Sequence, residues 1–255
     1  MDRRTAAAAL IGAALLTGTA ACTAGGAGAA PAAAGPERTA GASPDRSPGW
    51  SGGPSPTGAP GPTTGQLQAF VLAPGAKAGR YEVSVPLFDE PFSEAYEAAP
   101  QVCTPLTTLG RAGHTGQAYA KVQVPGEWQE VDTDVLLRSY PGDGAAAAMR
   151  SLAEAGRQCA GGYTEDRAVV EGRVTGVTAV PAPALGDEAL SFRIVVQDVK
   201  EKDVSLYKYL TVVRSGAVTL SFRSDILDVK DFGGVPAEVV AAQWEKFAQA
   251  SGAGS

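Results

Sequence analysis

The chain is predicted to be an α+β protein, an antiparallel sheet with helices packed on it. Three observations predict this class. Segments of strand character crowd the second half and are joined by short turns, as in a meander. Two segments with helical spacing of apolar residues, 144–159 and 236–250, stand well apart in the sequence. No βαβ alternation links strands to helices, and such segregation is the mark of α+β domains.

The first part of the chain precedes any fold. Met1-Asp2-Arg3-Arg4 is net positive, residues 5–16 are apolar, and small residues follow at Gly18, Ala20 and Ala21. This is the layout of an export signal over residues 1–21. The apolar run is shorter than the roughly 20 residues that a spanning helix needs. Thr19-Ala20-Ala21-Cys22 resembles a bacterial lipobox, with Thr19 where Leu is usual. The resemblance implies a diacylglycerol on the Cys22 thiol and Cys22 as the new N-terminus. The alternative is an ordinary secretory signal cut near Ala21. Two acyl chains would hold the protein at the extracytoplasmic face of the cell membrane, each buried methylene contributing about 0.8 kcal/mol.

Residues 22–65 read as a tether. After Cys22 nearly every residue is Ala, Gly, Pro, Ser or Thr, and such a segment buries too little apolar surface to offset its ordering entropy. As a flexible coil it would reach about 35 Å. The folded domain is expected over 66–255, enough chain for one core.

Charge excludes some partners. The chain has 21 basic and 27 acidic residues, a net −6. Nucleic-acid binding is driven by neutralising phosphates, so no nucleic-acid partner is expected. An acidic domain gains nothing from an anionic membrane surface either, so contact with the membrane is left to the lipid. With Cys22 lipidated, Cys103 and Cys159 remain, and two leftover cysteines in an exported domain pair. Two reduced, buried thiols are the alternative.

Within the domain, 66–73 is an apolar opening segment ended by Pro74-Gly75. Residues 81–87 alternate as a strand, and 94–99 read as one or two helical turns ended by Pro100. Residues 117–124 and 130–140 form a hairpin around Pro125-Gly126, with Val131, Thr133, Val135 and Leu137 on a dry face and Asp132, Asp134 and Arg138 on a wet one. The helix over 144–159 has Asp143 as N-cap, an alanine run, and Gly161-Gly162 as its stop. Its stripe of Ala145, Met149, Leu152, Gly156 and Cys159 turns Cys159 inward. A strand over 172–180, a loop over 181–186, and strands over 189–198, 204–214 and 217–223 follow. Pro236 opens the last helix, whose stripe is Val240, Trp244 and Phe247.

Residues with catalytic potential are few. His114 is the single histidine, in a glycine-containing loop without neighbouring ligands or a Gly-x-Ser-x-Gly elbow, and reads as a solvated loop residue. Asp187-Glu188 would point to opposite faces if both were on a strand, and reads as a charged strand start. Lys200-Glu201-Lys202-Asp203 reads as a solvated hairpin tip. Asp132 and Asp134 share a face and read as its wet side. Neither a metal nor a cofactor is expected, and no catalytic residue is assigned.

The order of features carries a resemblance. Leu67 and Leu72 open the domain, and Gln101-Val102-Cys103-Thr104-Pro105-Leu106 follows. The hairpin ending Leu137-Arg138-Ser139-Tyr140 leads to the helix closing on Cys159. Leu185-Gly186-Asp187-Glu188-Ala189 and Val212-Val213-Arg214-Ser215-Gly216-Ala217-Val218 complete the order. This order is similar to the PknH-like extracellular sensor domain, over about 66–250. The resemblance implies a twisted antiparallel sheet flanked by helices and a cleft for a ligand. It carries over no catalytic residue, and the chain lacks a kinase domain and a second cysteine pair. The expected function is a lipid-anchored, sensor-like binding domain for a small envelope ligand. The alternatives are a lipoprotein that docks on an envelope receptor or transporter and, last, a hydrolase.

Overall fold

The computed structural model describes residues 60–252. The expected signal peptide, Cys22 and most of the tether lie outside the described residues. Helix α1 (Thr64–Phe70) begins two residues ahead of the expected boundary. Thr63 Oγ1 accepts from the Gln66 amide (3.4 Å) while Gln66 Oε1 accepts from the Thr63 amide (2.8 Å). This reciprocal capping box satisfies two amides that the helix leaves free.

Among the described residues ten strands form one antiparallel sheet: β1 (Lys77–Ala78), β2 (Tyr81–Ser84), β3 (Glu97–Ala99), β4 (Gly116–Gln123), β5 (Asp132–Ser139), β6 (Tyr163–Asp166), β7 (Glu171–Val180), β8 (Glu188–Gln197), β9 (Ser205–Ser215) and β10 (Val218–Asp225). Their spatial order is β1-β2-β4-β5-β10-β9-β8-β7-β6-β3. The β8 to β10 meander folds as its turns predict, and β7 pairs antiparallel with its β8 edge. Its last strand returns to β5 in register, Leu220 opposite Leu137 and Phe222 opposite Val135, and this seam joins the two halves. The remaining helices are α2 (Thr104–Thr107), α3 (Gly144–Gln158) and α4 (Ala237–Ser251).

Two buried clusters use opposite faces of the sheet. Leu67 of α1 and Val239, Val240 and Phe247 of α4 pack with Ala118, Ala120, Val135, Leu137, Val213, Leu220 and Phe222. Met149, Leu152 and Ala155 of α3 pack with Phe192, Ile194, Val196, Leu210 and Val212. Val212 and Val213 are neighbours on β9 and serve different clusters, because successive strand residues face opposite ways. On α3, a Cβ at Gly156 would overlap the Phe192 ring, so this glycine admits the sheet to the helix.

Several expectations need correction. Residues 94–99 are not two helical turns: a 3-10 helix covers Phe92–Ala95, and Glu97–Ala99 becomes strand β3 on the edge of β6. A short segment with weak local preference takes the pairing that a free strand edge offers. The β4–β5 hairpin is not wet on its second face: Leu136, Arg138 and Tyr140 are buried. Asp143 sits at the start of α3 but makes no cap hydrogen bond, and its carboxylate lies 3.5 Å from Arg150 instead. Cys103 and Cys159 are disulfide-bonded, with Cα atoms 5.8 Å apart, joining the 3-10 helix Gln101–Cys103 to the end of α3. Among the described residues no helix is long and apolar enough to cross a membrane.

Candidate ligand cleft

On the sheet face that packs against α4, the body of that helix lies over the cluster that includes β4, β5 and β10. Its first turns reach further, beside β8 and β9, and a cleft of about 660 Å³ opens there. Ser191, Tyr209 and Thr211 belong to its sheet side. Ala237, Val240, Ala241 and Trp244 of α4 form one wall, and residues 180–185 form another. Gly233 and Gly234, with φ of +87° and +154°, turn the chain into α4 at the rim. Such backbone angles come at little steric cost only to glycine.

The hydroxyl groups of the cleft already have partners. Ser191 Oγ and Thr211 Oγ1 are 2.8 Å apart and hydrogen-bonded. Tyr209 donates to Asp231 Oδ1 (2.6 Å), and Arg193 donates to Asp231 Oδ2 (2.7 Å). Burial, and then the bonded Asp231, push the Tyr209 hydroxyl up to about 12. The Tyr209 hydrogen bond, with help from Arg193, holds Asp231 below the usual carboxylate range. Phe232 packs edge-on against the Tyr209 ring, with centroids 5.0 Å apart.

A solved structure shares this architecture. The crystal structure of the extracellular domain of PknH from Mycobacterium tuberculosis aligns over 76% of this chain and all of its own length, with a TM-score of 0.50 and 13% identity. This chain has the PknH extracellular-domain fold. An X-ray structure of a putative uncharacterized protein (Rv0999 ortholog) from Mycobacterium smegmatis aligns over 69% of this chain and 90% of its own, at 13% identity and a TM-score of 0.32. No protein-family model and no curated protein matches the chain.

Within this PknH-like fold two of the sequence motifs that carry the resemblance meet. Asp187 and Glu188 do not diverge. Asp187 Oδ2 accepts from Arg214 (2.7 Å) and from the Gly216 amide (2.7 Å), and Glu188 Oε1 accepts from Arg214 Nε (2.5 Å). Asp187 precedes the first residue of β8, so strand alternation does not govern it. A Cβ at Gly186 would overlap the Arg214 carbonyl oxygen. Together these contacts pin the far end of the 180–185 wall to the β9–β10 hairpin.

The other sequence candidates lie elsewhere. Cys22 is outside the described residues. His114 is half-buried rather than solvated. Burial and the nearby Arg138 hold it below the usual imidazole range, and among the described residues its Nδ1 has no serine or carboxylate partner. Lys200, Glu201, Lys202 and Asp203 form an exposed hairpin tip as expected.

Asp132 and Asp134 share Lys121, whose Nζ lies 2.8 and 3.6 Å from them, and Tyr119 donates to Asp134 (2.5 Å). An internal ammonium therefore takes the place a cation would fill. Among the described residues no three His, Cys, Asp or Glu side chains converge as metal ligands. Tyr119, Lys121 and Asp134 border a smaller cavity of about 370 Å³ under the 85–92 loop. The apolar side chains of Val85, Leu87, Phe88 and Phe92 in that loop are exposed.

Burial, and then the neighbouring Asp225, push Asp132 up to about 6 from an ordinary 3.8, against the pull of Lys121. The folded domain thus holds this proton more tightly than the unfolded chain. Stability is therefore expected to fall as pH rises from 3.8 to about 6, where the unfolded state loses the proton first. Asp132→Asn should flatten that slope in urea titrations across this range. Parallel pH profiles for the variant and the parent would refute the assignment.

A cleft was expected, but the residues that line it escaped the sequence. Its lining comes from four separate stretches, and Val240 and Trp244 were read only as core. The one available signal was the Ala- and Pro-rich loop over 181–185, too apolar for a solvated connection.

Proposed function

We propose that this chain is a sensor-like, non-enzymatic binding domain, held at the extracytoplasmic face of the membrane by lipid on Cys22, that takes a small envelope ligand beside α4. The cleft carries the reading. It is apolar, concave and within the usual size range of small-ligand sites, about 300–1,000 Å³. The PknH extracellular-domain fold supports the sensor-like part, and the lipobox resemblance supports the anchor.

A thermal-shift screen of envelope lipids, glycans and peptidoglycan fragments tests the site. A ligand at a hundred times its Kd should stabilise the fold by about 2.7 kcal/mol. Ala241→Phe, at an exposed position on the cleft wall, should erase that shift without lowering the unliganded melting temperature. A shift that survives the substitution would place the ligand elsewhere. Cys22→Ala should release the protein from membranes, and continued detergent partitioning of the processed variant would remove the anchor from the proposal. Ester or amide turnover abolished by His114→Ala would overturn the non-enzymatic reading.

The exposed Val85, Leu87, Phe88 and Phe92 favour a second reading, docking on an envelope protein through the 85–92 loop. Crosslinking from that loop in intact cells is its test. A partner lost with Leu87→Ser and Phe92→Ser supports docking, and crosslinks that are unchanged refute it.

A further inference from the structure

We propose that the cleft beside α4 takes the alkyl part of an uncharged amphiphile, an inference that deepens the proposed binding function and rests on it. No charged side chain lines the cleft. Its hydroxyl side chains are Ser191, Thr211 and Tyr209, and each already has a protein partner. Ser191 and Thr211 use one hydroxyl proton between them, which leaves one to donate. The lining thus offers a ligand two side-chain donors, the spare hydroxyl proton and the Trp244 indole N–H, and no counter-ion. A charge placed inside would lose its hydration without compensation, a cost far above that of an unmade hydrogen bond.

What the cleft does favour is removal of apolar surface from water. Val180, Pro181, Leu185, Val235, Val240 and Trp244 present that surface. The space corresponds to roughly 20 water molecules at about 30 Å³ each. Alanines 182, 184, 237 and 241 keep the walls low and smooth. Both aromatic rings of the lining already have an aromatic neighbour, Tyr209 in Phe232 and Trp244 in Phe247. Such a site selects for apolar length rather than for stacking.

Calorimetry of the full chain with n-alkyl β-glucosides of increasing chain length, each below its micelle concentration, tests the inference. Each added methylene should tighten Kd about fourfold until the cleft is full. The same glucoside with a carboxylate at the far end of the chain should bind at least about a hundredfold more weakly. Ala241→Phe should abolish binding of the whole series. Affinity independent of chain length, or a terminal carboxylate that binds as well as the parent, would overturn the ligand class. A glycan or peptidoglycan fragment that stabilises the parent but not Ala241→Phe would also overturn the class, while leaving the cleft as a binding site. A series that binds both proteins equally would overturn the cleft and the proposed function together.

Discussion

Replacing Arg138 with methionine is expected to destabilise the domain by about 3–5 kcal/mol, the usual cost of removing one member of a buried ion pair. The Arg138 side chain is 2% exposed and that of Glu94 8%, with Nη2 2.6 Å from Oε2. Thr108 also donates to this carboxylate, and Gln117 Oε1 lies 3.4 Å from Arg138 Nε. Without Arg138 the Glu94 charge would stay buried with only a hydroxyl to face it. The pair also ties the 3-10 helix Phe92–Ala95 to β5, two elements far apart in sequence. Urea unfolding of Arg138→Met, Glu94→Leu and the double variant checks the claim. The double variant should recover much of the loss, since two apolar side chains leave no unpaired charge. A single-variant cost below about 1 kcal/mol, the size of an exposed pair, would show that water reaches the site.

Loss of the Cys103–Cys159 disulfide is expected to cost about 4 kcal/mol. The bond closes a loop with a sequence separation of 56, and in the chain-entropy account a loop of that size restricts the unfolded state by about this amount. Both cysteines are fully buried. The Cys103→Ala, Cys159→Ala variant should therefore unfold at markedly lower urea with its native strands otherwise unchanged. Thiol labelling of the denatured parent without reductant should find neither cysteine free. Two labelled thiols in correctly exported protein would rule the bond out, and a double variant as stable as the parent would show that the loop is already restricted when unfolded.

Some of this architecture was legible because it is local. The meander over β8 to β10 follows from short turns between alternating strands, and α3 follows from its alanine run and the double glycine behind it. The disulfide followed from the cysteine count taken together with the export signal. Other features resisted because their cause lies far away in sequence. Strand β3 exists because β6 offers it an edge, and its own residues prefer nothing strongly. Arg138 looked solvated because alternation reports which side of a strand a residue takes, not what later covers that side. Thr63 and Gln66 were an exception: their capping spacing was local, but it was hidden in what read as the end of the tether.

By itself the sequence determined the α+β class, the main strands and long helices, and the pairing of Cys103 with Cys159. Periodicity, turn chemistry and composition act over a few residues, and each of these features depends on a few residues or on a count. Only the tertiary structure decided the joining of β5 to β10, the burial of Arg138 with Glu94, the convergence of Asp187 and Glu188 on Arg214, and the cleft beside α4. Each of these brings together groups from separate stretches of chain. Their energies depend on what water is excluded when the sheet closes, and no window of sequence carries that information.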